Sequence, residues 1–113
     1  MANSISVRLT DDARSFLHAL DKEVRIKFGV SIRRTQDGQT GDWFKKLSGT
    51  DLYEFRVDAP NHTYRLFAFW DKRSKADTLI VCTHGLDKKT QKTPAADLKK
   101  ADRIRAQYFE DGP

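Results

Sequence analysis

Cysteine is nearly missing from this chain. Cys82 stands alone, so no internal disulfide can form, and its place in the apolar run TLIVCTHG predicts a buried, structural thiol. Long hydrophobic runs are missing as well: nothing approaches the roughly 18–20 apolar residues that cross a bilayer. The opening MANSISVRLTDDAR lacks the apolar centre of a secretory signal, which predicts a cytoplasmic protein with no membrane partner. Three histidines and one cysteine show no metal-ligand spacing, which argues against a metal site. There is no internal repeat, no low-complexity segment and no linker, so residues 1–113 are expected to form one domain.

What is present suffices for one modest core. Hydrophobic residues make up 38% and charged residues 33%, the balance of a folded domain with a heavily solvated surface. Lysine and arginine number 21 against 16 acidic residues, a net charge of +5 that favours a polyanionic partner such as nucleic acid. An acidic protein surface would satisfy the same charge.

Local patterns then order the elements. Ile5, Val7 and Leu9 alternate with Ser6 and Arg8 as in a half-buried strand. Thr10 is placed to cap a helix with Asp11 and Asp12 in its first turn and Ala13, Phe16, Leu17 and Leu20 at helical spacing. Asp21 opens a second helix with Val24, Phe28 and Ile32 on one face, and Gly29 is a point where it would kink or end. TQDGQTGD, Thr35 to Asp42, reads as an exposed loop. Strands follow at Leu52 to Val57, His62 to Trp70 and Thr78 to His84, separated by the turn segments DAPN and DKRSKAD. Thr93 is placed to cap a last helix with Pro94 in its first position and Leu98, Ala101 and Tyr108 in its buried stripe.

The resulting order, β-α-α-β-β-β-α, predicts an α+β domain with an antiparallel-rich sheet, a helical hairpin on one face and a C-terminal helix. Strand alternation places Tyr53, Phe55 and Val57 on one side and Glu54 and Arg56 on the other; Tyr64, Leu66 and Ala68 oppose Arg65, Phe67 and Phe69. If the second face is open, Arg56 and Arg65 form a rigid basic surface suited to RNA.

Three segments in order, FKKLSGTDLYEFRV (Phe44 to Val57), HTYRLFAFW (His62 to Trp70) and HGLDKKTQKTP (His84 to Pro94), resemble the RelE/HigB toxin superfamily, particularly its phage-related HigB-like branch. The shared features are a Leu-x-Gly-x-x-Leu-Tyr-Glu-x-Arg strand, a Tyr-Arg strand and a Lys-Lys-Thr-x-Lys-Thr-Pro turn. The resemblance implies a compact RelE-like toxin neutralised by a cognate antitoxin, commonly of helix-turn-helix type. When free it would cut messenger RNA, usually on the ribosome, with no metal or organic cofactor. It also implies catalytic roles for Arg56, Arg65, Lys88 and Lys89.

The chemistry fits those residue types. RNA is cleaved when its 2′-hydroxyl attacks the adjacent phosphate, a step helped by removal of a proton and neutralisation of phosphorane charge. An arginine fork grips two phosphate oxygens and stays charged, whereas a lysine crowded by cations has a lowered pKa and can serve as base. Some RelE relatives carry a tyrosine just beyond the basic turn; here that stretch reads TQKTPAAD, without one. His84 is therefore either the proton donor or a packed strand-end residue.

Lys45, Lys46 and Lys92 are candidates for holding an RNA backbone. Arg25, Lys27, Arg33 and Arg34 read as a solvated helix face, with phosphate or an acidic antitoxin patch as the alternative contact. Trp43 and Trp70 read as packed residues in preference to base-stacking platforms, while His18 and His62 read as surface residues. Two rival functions share the fold: a ParE-like inhibitor of DNA gyrase, and a relative that binds nucleic acid or antitoxin without catalysis.

Overall fold

The computed structural model describes residues 4–74, 77–88 and 94–112. Its elements are β1 (Ser4–Leu9), α1 (Asp11–His18), α2 (Lys22–Gln36), β2 (Phe44–Lys46), β3 (Tyr53–Ala59), β4 (His62–Asp71), β5 (Asp77–Lys88) and α3 (Ala95–Glu110). The α+β class agrees with expectation, and the order gains one strand. β2 has three residues, too few to show an alternation, and exists because Phe44, Lys45 and Lys46 pair with Phe55, Glu54 and Tyr53.

The sheet order is β1-β5-β4-β3-β2. The first strand lies parallel to β5, with Val7 opposite Ile80 and Leu9 opposite Cys82, and every other pairing is antiparallel. Thr10 joins this parallel pair to α1. Its hydroxyl accepts from the Ala13 N–H at 3.1 Å and donates to the Thr83 carbonyl at 2.7 Å, so one side chain caps the helix and ties it to β5. Asp21 occupies the cap position of α2 but makes no side-chain capping bond.

Helix α2 does not end at Gly29 but continues to Gln36; the loop begins correspondingly later. The C-terminal half of that helix is tied down by polar bonds. Thr35 donates to the Ser31 carbonyl at 3.0 Å, and the same hydroxyl accepts from the Trp43 indole at 3.1 Å. Trp43 thus packs, as does Trp70, whose ring meets Phe44 and Tyr53 edge-on.

Each sheet face has its own core. On the first, Ala13, Val24 and Phe28 of the hairpin pack against Phe55, Leu66, Ala68, Ile80 and Cys82. Burial pushes the Cys82 thiol up to about 12, as expected of an inert structural cysteine. On the second face, Phe67, Phe69 and Val81 meet Ala101, Leu98, Tyr108 and Phe109 of α3. That face is therefore not open: α3 packs on it, because its stripe needs an apolar partner and Phe67, Phe69 and Val81 supply one.

The roof is locked at its C-terminal end. Tyr108 donates to Asp71 at 2.7 Å, and Arg73 grips the same carboxylate with Nε at 2.9 Å and a terminal nitrogen at 2.8 Å. These Arg73 hydrogen bonds hold the Asp71 carboxyl far below the usual carboxylate range. At the other end Pro94 sits in the cap position of α3, one place before its expected site; Thr93, expected to cap that helix, lies outside the described residues.

Two glycines separate backbone entropy from packing. A methyl on Gly29 would meet nothing nearby, so Gly29→Ala should raise stability by about 0.5–1 kcal/mol in urea denaturation. A methyl on Gly85 would overlap the Phe16 ring, so Gly85→Ala should lower stability by about 1–3 kcal/mol in the same experiment.

Candidate functional site

The half of the second face that α3 leaves uncovered by apolar residues is built from alternate positions of β3. Glu54, Arg56 and Asp58 project to the same side at a spacing of two, and the register sets Arg56 directly opposite Arg65 of β4. Like charges facing each other across an antiparallel pair repel unless opposite charge is interleaved. Here it is: Arg65 donates to Glu54 at 3.1 Å and Arg56 to Asp58 at 3.3 Å. The pair of cations is thereby threaded between two carboxylates.

The two arginines differ in depth. Arg65 is 3% exposed and Glu54 nearly as buried, so theirs is an ion pair inside the protein. Arg56 is half-buried and reaches a cleft of about 370 Å³ lined also by Asp42, Trp43, Lys45, Glu54 and Asp58. The expected open arginine surface is thus corrected. One guanidinium faces solvent, while the other lies beneath, held there because Glu54 compensates its charge.

Lys45 joins the cleft because it lies opposite Glu54 in the β2–β3 register, and its ammonium also pairs with Asp42 at 3.1 Å. Lys46, one residue on, alternates to the other side of the sheet and does not join. The backbone of Lys88 pairs with Thr63, two register positions from the Arg65–Leu86 pair. The Lys88 side chain and all of Lys89 and Lys92 lie outside the described residues.

His84 is placed by a β-bulge. Leu66 pairs with Gly85 but Ala68 with Cys82, so Thr83 and His84 together oppose Phe67. The extra residue turns the imidazole toward α3, where it is 4% exposed, tilted against the Phe67 ring, with Nε2 3.2 Å from Asp97 and Nδ1 3.1 Å from the Thr83 hydroxyl. Burial lowers its pKa, outweighing the opposing effect of its hydrogen bond to the Asp97 carboxylate, so at neutral pH the ring is neutral.

His18 is exposed on α1, as read from its position. His62 is not a bare loop residue: its ring stacks on Tyr64 and lies 2.9 Å from Asp87. The carboxylates Glu54 and Asp58, which pair with Arg65 and Arg56 and line the cleft, are residues that the reading of basic motifs passed over. Their signal was present in EFRVD, where acid, base and acid recur with period two.

A small α+β domain with a mixed five-stranded sheet, two helices on one face and one on the other is compatible with the RelE-like fold. The family model for phage-derived protein Gp49-like (DUF891) matches residues 15–106, from α1 into the last turns of α3. The chain belongs to that family, which is a family of RelE/HigB-like toxins. A search of curated proteins gave no match.

Two stability experiments test this geometry. Glu54→Ala strands a buried guanidinium and should cost about 3 kcal/mol, whereas the double change Glu54→Leu with Arg65→Met should cost less than Glu54→Ala alone. Because His84 has a lower pKa folded than unfolded, the unfolded chain binds its proton more readily. Its contribution is complete above the unfolded value near 6.5 and is lost as pH falls below it, so the urea midpoint should drop between about pH 7.5 and 5. His84→Gln should flatten that slope.

Proposed function

We propose that this protein is the toxin of a toxin–antitoxin pair and an endoribonuclease that cleaves messenger RNA on the ribosome. The observation that carries the reading is the facing pair Arg56 and Arg65 on two hydrogen-bonded strands, with Lys45 on the neighbouring strand. A sheet fixes such cations without loop reorganisation, which is what stabilising a transient dianionic phosphorane requires. The family match supports the toxin class.

In this reading the 2′-oxygen attacks the adjacent phosphorus, its proton passes to a base, and the bond to the 5′-oxygen breaks as that oxygen gains a proton. The products are a 2′,3′-cyclic phosphate and a 5′-hydroxyl. Arg56, at the mouth of the cleft, grips the phosphate, exchanging Asp58 for phosphate oxygens. Arg65 adds positive potential from beneath and keeps Glu54 turned away from the incoming anion.

Lys88 or Lys89 serves as base or as a further stabiliser, and Lys45, Lys46 and Lys92 contact the RNA backbone. His84 acts here as a positioning residue that joins the bulge to α3, since both its nitrogens already have partners. No metal or organic cofactor takes part. The partner that silences the toxin is an antitoxin, of helix-turn-helix type on the HigB-like reading.

Primer extension on a message translated in a purified cell-free system tests the assignment. Wild type should cut only when ribosomes are present, and Arg56→Ala should slow cutting by about 10²–10³-fold while keeping the wild-type circular dichroism. Arg65→Ala should be equally inactive but less stable, because it strands Glu54. Cutting without ribosomes would make the protein a free ribonuclease. No cutting by folded protein would overturn the nuclease reading; arrest of DNA synthesis before translation would then indicate a gyrase inhibitor.

A further inference from the structure

Among the described elements, α2 carries a large uncompensated excess of positive charge. The helix α2 carries five basic residues, Lys22, Arg25, Lys27, Arg33 and Arg34, against one acidic residue, Glu23. The cleft, by contrast, interleaves its cations with Glu54, Asp58 and Asp42. An acidic partner is therefore attracted to α2.

The same helix exposes aliphatic surface. Ile26 is 53% and Val30 47% exposed, and they are the exposed large hydrophobic residues among those described. They lie four apart, in one stripe of α2 displaced from the buried Val24 and Phe28. Together with Lys27, Ser31, Arg34, Arg56, Val57 and Asp58 they line a groove of about 320 Å³ between α2 and β3. Along this groove β3 is an edge: β2 pairs with Tyr53, Glu54 and Phe55, the Arg56 N–H bonds the Trp43 carbonyl at 2.9 Å, and among the described residues no strand continues beside Val57 to Ala59.

We infer that this groove receives an acidic segment bearing paired aliphatic residues, and that the segment belongs to the antitoxin; the second half of this inference rests on the toxin reading above. Aliphatic anchors at i and i+4 ringed by Lys27, Arg34 and Arg56 complement the apolar stripe and the charge of such a segment together. An RNA backbone would use the cations but gain nothing from Ile26 and Val30. The groove also shares Arg56 and Asp58 with the cleft, so its occupant engages the guanidinium that the nuclease reading needs. Neutralisation then follows from competition for Arg56, without covering buried Arg65.

A random peptide display library panned against the full-length chain tests the groove directly. Enriched peptides should combine aspartate or glutamate with spaced aliphatic residues. They should lose about tenfold or more in affinity on Ile26→Asp/Val30→Asp and on Lys27→Glu/Arg34→Glu, and keep it on Arg8→Glu, an exposed charge reversal on β1. No enrichment, enrichment of peptides lacking acidic or aliphatic residues, or indifference to the groove variants would each overturn it. Growth arrest on induction separates the two readings. Ile26→Asp/Val30→Asp should remain toxic; if wild type is not toxic while acidic peptides still need Ile26 and Val30, the antitoxin assignment falls with the toxin reading and the groove itself stands.

Discussion

Two guanidiniums held face to face on neighbouring strands are the constraint around which the polar half of this protein is arranged. Arg56 and Arg65 occupy one register position of an antiparallel pair, and without opposite charge between them that pairing would work against the sheet. Glu54 and Asp58, flanking Arg56 on the same strand face, remove the conflict. The arrangement also separates duties. Burial of Arg65 against Glu54 fixes the floor of the cleft, and Arg56 is left at its mouth, where an anion can take the place of a carboxylate.

The other half of that face is apolar, and the division between the halves depends on how β5 is read against β4. The bulge opposite Phe67 places one extra residue on β5, bringing both Thr83 and His84 to the side of α3. His84 then bridges the strand to Asp97 in the first turn of the helix, while Asp71, Arg73 and Tyr108 secure the opposite end. With both ends tied, α3 roofs Phe67 and Phe69. The polar and apolar halves of the face are thus set by one irregularity in pairing and two side-chain latches.

Charge is distributed with similar economy. Among the described residues α2 carries five basic side chains against one acidic, whereas the cleft is locally compensated. On the proposed function such a site would bind phosphate by exchange with an internal carboxylate, which favours selectivity over raw affinity. The aliphatic pair on α2 adds a surface that a protein segment can read and an RNA backbone cannot, next to the same Arg56.

Much of this was legible in the sequence because it is local. Alternation along LYEFRVDA and HTYRLFAF assigns each side chain to a face whatever the strand pairs with, and a threonine before two aspartates caps a helix wherever that helix docks. The α+β class, the hairpin and the shared face of Arg56 and Arg65 follow from those patterns. Tertiary structure decided the rest: that α3 roofs the face expected to be open, that Arg65 sinks onto Glu54, that β2 exists, and that His84 turns to Asp97. Each depends on the register between segments distant in the chain, and neither periodicity nor composition contains that register.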